Sequence, residues 1–265
     1  WNGVLDRARS DLEKRFDLSK YPPTPPNGKL PSPVNSAPIQ NQIALLIEQG
    51  LAFHRQGNFN EAQALYECIL SIQGDHFDAL QLLGILSAET KQFTKAVEFL
   101  TKALQINPNY AEAYSNRGNA LKELQRYDEA LLSYDKAISI KPEFADAYFN
   151  RGITLEELER FDEALASYDQ AISINPNYAE AYSNRGNTFK ELQRYDKALL
   201  SYDKAISINP NYAAAYSNRG ITLQDLRRYD KALLSYDQAI SINPNYADAY
   251  SNLSLIHISE PTRPY

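Results

Sequence analysis

AEAYSNRGNALKELQRYDEALLSYDKAISIKPEF, residues Ala111 to Phe144, recurs almost unchanged three more times along a chain of 265 residues. The recurrence makes the protein a repeat array. Pro108, Pro142, Pro176, Pro210 and Pro244 set the period, each 34 residues after the one before. With Ala111 as the first place of a unit, complete units begin at Ile43, Phe77, Ala111, Ala145, Ala179 and Ala213, six in all, the last ending at Tyr246. A period of this length belongs to stacked supersecondary units, each too small to bury its apolar face alone.

Within one unit the spacing predicts two helices. Tyr114, Gly118 and Leu121 stand at i, i+4 and i+7, and Ala130, Tyr134 and Ala137 repeat that spacing further on. Gly118 and Ala130 are small where two helices have to approach closely, and Tyr114 and Tyr134 fill the space around them. Asn109 with Glu112 has the form of a capping box, and Asp128 is placed to cap the second helix. Pro142 marks the stop, because proline breaks the hydrogen-bond ladder of a helix interior. Helices of about 12 to 14 residues are marginal alone in water, so stacking on neighbours has to stabilise them. The expected result is a quasi-one-dimensional, all-α solenoid.

Tyr114, Gly118, Leu121, Ala130, Tyr134, Ala137 and Pro142 are the residues through which the chain resembles the tetratricopeptide repeat family over residues 43 to 246. The resemblance implies a right-handed α-α superhelix of six complete repeats, with a truncated seventh from Ala247 to Asn252 and an array spanning residues 39 to 252. It also implies a protein-interaction scaffold rather than an enzyme. One departure recurs. Arg117, Arg151, Arg185 and Arg219 stand where the family has leucine, either laying their stems on the core or lining the groove with guanidinium groups able to meet carboxylates.

The flanks read differently from the array. Val4, Leu5, Ala8, Leu12 and Phe16 are spaced as one face of a short amphipathic helix within residues 1 to 20. Residues 21 to 38 hold seven of the 14 prolines and read as an extended linker. The first two repeats diverge from the rest, as capping repeats do, with Gly74 where proline would stand. Leu253 to Tyr265 fits no place in a repeat, and LSLIHISEPTR resembles the translation of an adapter used in preparing sequencing libraries. The tail therefore reads as adapter-derived, and the natural chain is expected to continue past Asn252. The chain starts at Trp1 and holds no methionine, so its natural start is expected to lie upstream.

A formal net charge of −6 argues against a nucleic-acid partner, which would call for a basic face. No apolar run approaches the length of a membrane span. Cys68 is the only cysteine. It excludes an intrachain disulfide framework, favours a reducing, cytoplasmic setting and is expected in the core of the first repeat. His54, His76 and His257 are isolated, with no ligand spacing for a metal. No phosphate loop, nucleophile elbow or Cys/His constellation is present, so no catalytic residue, cofactor or metal is expected.

The first helix of each unit carries a recurring asparagine. Asn116, Asn150, Asn184, Asn218 and Asn252 hold its sixth place, which in the tetratricopeptide family lines the concave side. An asparagine amide both accepts from a peptide N–H and donates to a peptide C=O, so a series of them can hold a peptide main chain without reading its side chains. The alternative is that these amides bond only within their own solenoid. The ninth and twelfth places alternate: Asn119 and Lys122, then Ile153 and Glu156, then Asn187 and Lys190, then Ile221 and Gln224. This makes a pair of repeats the duplicating unit and adds Asn119 and Asn187 to the candidate peptide-binding residues.

The asparagine series resembles that of the repeat arm of O-linked N-acetylglucosamine transferase-like proteins, where it grips protein substrates ahead of a catalytic domain. Repeat domains that clamp a partner's C-terminal carboxylate use lysines on this face, whereas the second place here holds Glu112, Asp146, Glu180, Ala214 and Asp248. The preferred reading is a scaffold binding an extended, neutral to basic protein or peptide segment. The alternative is the recognition arm of a glycosyltransferase. Self-association through the open end at Ala247 to Asn252 is a third reading.

Overall fold

The computed structural model describes residues 39–245, and among these there are twelve α-helices and no strand. They fall into two compact units, one ending at Ile140 and the other beginning at Lys141. In the first unit α1 (Ile39–Arg55) pairs with α2 (Phe59–Ile72), α3 (Phe77–Glu89) with α4 (Phe93–Ile106), and α5 (Ala111–Glu123) with α6 (Tyr127–Ile140). In the second, α7 (Ala145–Glu157) pairs with α8 (Phe161–Ile174), α9 (Ala179–Glu191) with α10 (Tyr195–Ile208), and α11 (Ala213–Asp225) with α12 (Tyr229–Ile242). Each pair is one 34-residue repeat, as the proline spacing predicts. The flanking helix, linker, partial repeat and tail expected at residues 1–38 and 246–265 lie outside the described residues, as does Asn252.

The glycine at the eighth place brings the two helices of a pair together. A Cβ added to Gly118, Gly152, Gly186 or Gly220 would sit 2.6 Å from Cε1 of Tyr134, Tyr168, Tyr202 or Tyr236 respectively. Those four rings are 0% exposed. The first helix therefore rests its bare backbone on the tyrosine of the second, and Ala130, Ala164, Ala198 and Ala232 complete the contact, also at 0% exposure. In the second repeat Leu100 takes the tyrosine's place beneath Gly84.

The turn inside each pair is a Schellman motif. After α5 the N–H of Arg126 donates to the Leu121 carbonyl at 2.9 Å and that of Gln125 to the Lys122 carbonyl at 2.8 Å. The motif needs a left-handed residue at its centre. Gly57 supplies it in the first repeat, while Lys91, Gln125, Glu159, Gln193 and Arg227 adopt φ of 56° to 59° in the others. This strained state costs about 1–2 kcal/mol for a residue with a Cβ.

Three local expectations are corrected. Helix α5 has Tyr110 as its N-cap with no side-chain cap bond, so Asn109 and Glu112 form no capping box. Instead the Asn107 side chain accepts from the Asn109 N–H at 3.2 Å, an Asx turn repeated at Asn175, Asn209 and Asn243. Lys141 and Glu143 replace both asparagines at the corner before α7. Asp128 lies inside the first turn of α6, where its charge suits the helix N-terminus without capping it. Cys68 is exposed rather than buried, because on α2 the core side belongs to Leu65, Tyr66 and Ile69.

Candidate functional site

On α9 the residues Glu180, Asn184, Asn187 and Glu191 stand at i, i+4, i+7 and i+11 and form one lane along the helix. Asp146, Asn150, Ile153 and Glu157 form the same lane on α7, and Ala214, Asn218, Ile221 and Asp225 on α11. Each lane has amide or aliphatic groups at its middle; α7 and α9 carry a carboxylate at both ends, α11 at one. Asn150, Asn184, Asn187 and Asn218 are half-buried, with part of each surface open to solvent. On α5, Asn119 is likewise half-buried, whereas Asn116 is set deeper, 3% exposed with no hydrogen-bond partner for Nδ2.

The amides also serve the fold. Asn218 Nδ2 donates to Asn187 Oδ1 at 3.0 Å, and the Asn184 side chain is within hydrogen-bonding reach of the Tyr168 hydroxyl. Both sixth-place asparagines thus tie one repeat to the repeat before it. An amide has two N–H groups and an oxygen with two lone pairs, so these bonds leave hydrogen-bonding capacity on the open side.

The alternation along the array has a physical cause: each buried tyrosine hydroxyl needs an acceptor. Where the ninth place is asparagine it accepts, from Tyr134 to Asn119 at 2.8 Å and from Tyr202 to Asn187 at 2.8 Å. Where the ninth place is isoleucine the twelfth takes over, so Tyr168 donates to Glu156 and Tyr236 donates to Gln224 at 3.1 Å. The first repeat follows the second pattern, with Leu51 at the ninth place and the Tyr66 hydroxyl 3.5 Å from His54 Nδ1. His54 Nε2 in turn lies 2.8 Å from a Glu89 carboxylate oxygen. In the second repeat the tyrosine is absent, and Ile85 and Ala88 fill the two acceptor places. Sequence reading saw the alternation but not the hydroxyl that requires it.

Glu156 stands apart within this scheme. Its two oxygens accept from the Tyr168 and Thr188 hydroxyls, on α8 and α9. Burial raises its carboxyl above the ordinary range; the two hydroxyl bonds oppose that shift, and the like charges of Glu157 and Glu191 add to it. Burial also raises the Tyr66, Tyr168, Tyr202 and Tyr236 phenols well above theirs, keeping them neutral donors.

The heads of the arginine series are engaged within the protein. Arg117 and Arg185 lie over the rings of Tyr114 and Tyr182, each with its guanidinium carbon 5.1 Å from the centroid. Arg117, Arg151 and Arg185 donate to Ser133, Ser167 and Ser201 on the paired helix. Arg185 and Arg219 also meet Asp169 and Asp203 of the preceding repeat at 2.7 and 3.0 Å. The carboxylates these two guanidinium groups meet therefore belong to the protein itself.

At the fifth place Ser115, Ser183 and Ser217 are 1% to 3% exposed. On α7 that place is Phe149, which is half-buried, 4.8 Å from the Tyr178 ring and 6.0 Å from the Tyr168 ring between centroids. Among the described residues no group of His, Cys, Asp and Glu is arranged to hold a metal, and no helix is long and apolar enough to cross a membrane.

Residues 84–125, 118–159 and 155–193 match the family described as TPR repeat, and residues 179–212 and 213–246 match tetratricopeptide repeat. The chain belongs to the tetratricopeptide repeat family. A stretch of 69 residues is 33% identical to the UDP-N-acetylglucosamine–peptide N-acetylglucosaminyltransferase of Caenorhabditis elegans. That match covers 25% of this chain and only 6% of the enzyme's length. Among solved structures the array is similar to YrrB, described as a TPR protein with an unusual peptide-binding site, at 26% identity and a TM-score of 0.57 over 70% of this chain and 96% of YrrB. PilF of Pseudomonas aeruginosa matches at a TM-score of 0.70 over 82% of this chain and 99% of its own, with 19% identity, and supports the fold alone.

Proposed function

We propose that this tetratricopeptide array is a non-catalytic scaffold that holds an extended segment of another protein across the lanes of its first helices. The observation that carries the reading is the row of half-open amides at Asn150, Asn184 and Asn218, one per repeat. A peptide main chain presents alternating N–H and C=O groups, and each amide can meet one of each. Packed helices stand about 8 to 10 Å apart and an extended chain rises about 3.3 Å per residue, so an amide meets roughly every third ligand residue. The carboxylates at the lane ends, Glu157, Glu180, Glu191 and Asp225 among them, favour a neutral to basic segment. The similarity to YrrB, described as a TPR protein with an unusual peptide-binding site, supports the same reading.

Changing Asn150, Asn184 and Asn218 together to Ala tests it. Affinity for peptides selected on the intact chain should fall at least tenfold, with helix content by circular dichroism nearly unchanged. Unchanged affinity would sink the reading. A second reading, a recognition arm within a longer glycosyltransferase, is favoured by the partial match to the N-acetylglucosaminyltransferase. It predicts that the genomic reading frame continues into a sugar-nucleotide-binding domain, and a frame that closes without one would remove it.

A further inference from the structure

Phe149 breaks the pattern of the lanes. The fifth place conceals a serine in the repeats at Ala111, Ala179 and Ala213. A phenyl ring is too large for that depth, so on α7 it rises against Tyr178 and Tyr168 and leaves part of its surface in solvent. Ile153, one turn further along α7, is half-buried as well. The two make an apolar step beside the sixth-place amide, where α9 and α11 offer only small or polar groups at the fifth place. Three residues beyond Ile153 stands Glu156, fixed by the Tyr168 and Thr188 hydroxyls, with no cation among its hydrogen-bond partners. Gln224 does the same structural work for Tyr236 without a charge.

We infer that this step is the specificity pocket of the peptide-binding face, taking a large apolar side chain of the bound segment on Phe149 and Ile153 and an adjacent basic side chain on Glu156. The inference rests on the scaffold reading above. Adjacent residues of an extended chain point to opposite sides. A segment crossing α7 between Phe149 and Glu156 therefore turns one side chain toward the ring and the next toward the carboxylate. A leucine seated on the ring contributes apolar contact, and an arginine beside it supplies the planar fork that matches a carboxylate. Glu157 and Glu191, the like charges acting on Glu156, reinforce the preference for a cation.

The test uses the full chain and fluorescein-labelled Gly/Ser peptides of about 12 residues carrying Leu-Arg, Ser-Arg or Leu-Ser at the centre, read by anisotropy. Leu-Arg should bind roughly tenfold tighter than Ser-Arg, the worth of one partly buried leucine. Phe149→Ser, which installs the residue of the repeats at Ala111, Ala179 and Ala213, should erase the leucine advantage and leave Ser-Arg affinity unchanged. Glu156→Gln should erase the arginine advantage, measured as Leu-Arg against Leu-Ser, and keep that of leucine. Equal affinities for Leu-Arg and Ser-Arg, or a leucine preference that survives Phe149→Ser, overturn the pocket. If the Asn150, Asn184 and Asn218 triple change still weakens every peptide in that case, the scaffold reading stands without the pocket. If no peptide binds the intact chain, both fall.

Discussion

Replacing Asn187 by isoleucine, the residue the chain itself carries at Ile153 and Ile221, isolates the acceptor requirement of the buried tyrosine. The change removes the 2.8 Å acceptor of the Tyr202 hydroxyl and the 3.0 Å acceptor of Asn218 Nδ2. Tyr202 is 0% exposed, so water offers its hydroxyl no substitute. A buried donor left unsatisfied costs about 1–3 kcal/mol. Thr222 is within hydrogen-bonding reach of the same hydroxyl and gives its own proton to the Asn218 carbonyl at 2.9 Å, so it can accept in part. That places the expected loss at about 1–2 kcal/mol, the lower part of the range, or a fall in Tm of roughly 2–8 °C for a chain of this size. Adding Lys190→Gln supplies an acceptor twelve residues before the tyrosine, as Gln224 does for Tyr236. The double variant should recover most of the loss in urea melts followed at the helical dichroism band. In a Tyr202→Phe background Asn187→Ile should cost less than about 0.5 kcal/mol, since no hydroxyl is stranded. Equal midpoints for the single and double variants would refute the acceptor rule, as would a full cost that persists with phenylalanine.

Two further outcomes follow from the same contacts. Gly220→Ala gains about 1 kcal/mol of helix propensity but drives a Cβ to 2.6 Å from a fully buried ring. Overpacking of about 1–3 kcal/mol leaves a net loss, whereas Gly74→Ala, with its nearest atom at 3.8 Å, should stay within about 0.5 kcal/mol of the parent in the same urea titration. Glu156, whose carboxyl titrates higher in the fold than in the unfolded chain, binds its proton more tightly when folded. Its contribution is therefore most favourable below the unfolded value and is lost as pH rises through the folded one. Glu156→Gln should raise the urea midpoint at pH 7 and remove that decline, and a midpoint at pH 7 below that of the parent would count against the assignment.

The repeat and its packing were legible because they rest on offsets fixed by helix geometry: Gly118 meets Tyr134, and Pro142 follows the end of α6, in each copy alike. The caps were not, because a cap depends on the single residue at which the helix starts. With α5 beginning at Ala111, Asn109 falls one place too early and the Asx turn from Asn107 takes its role. Cys68 was misplaced for a reason the sequence does hold. The other repeats carry Lys102, Lys136, Gln170, Lys204 and Gln238 at its place, a polar series that only an outward position tolerates. The arginines were half legible. The guanidinium groups of Arg117 and Arg185 lie over aromatic rings of their own helix, but the acids that meet Arg185 and Arg219 stand one repeat away, at Asp169 and Asp203, where no pattern within a unit points.

Repetition itself separates what the fold requires from what a ligand requires. Every repeat faces the same packing problem, so a residue that solves it recurs, or alternates with an equivalent, as Asn119 and Asn187 alternate with Glu156 and Gln224 as acceptors. Gln224 proves that an uncharged amide suffices for the tyrosine. The charge on Glu156 is thus surplus to packing, and burial together with two neighbouring carboxylates makes it unfavourable. Phe149 is surplus in the same sense, since serine serves the fifth place on α5, α9 and α11. Two departures that the fold does not need, seven residues apart on one helix and linked through the Tyr168 ring and hydroxyl, are what a binding preference would leave in an array otherwise built by copying.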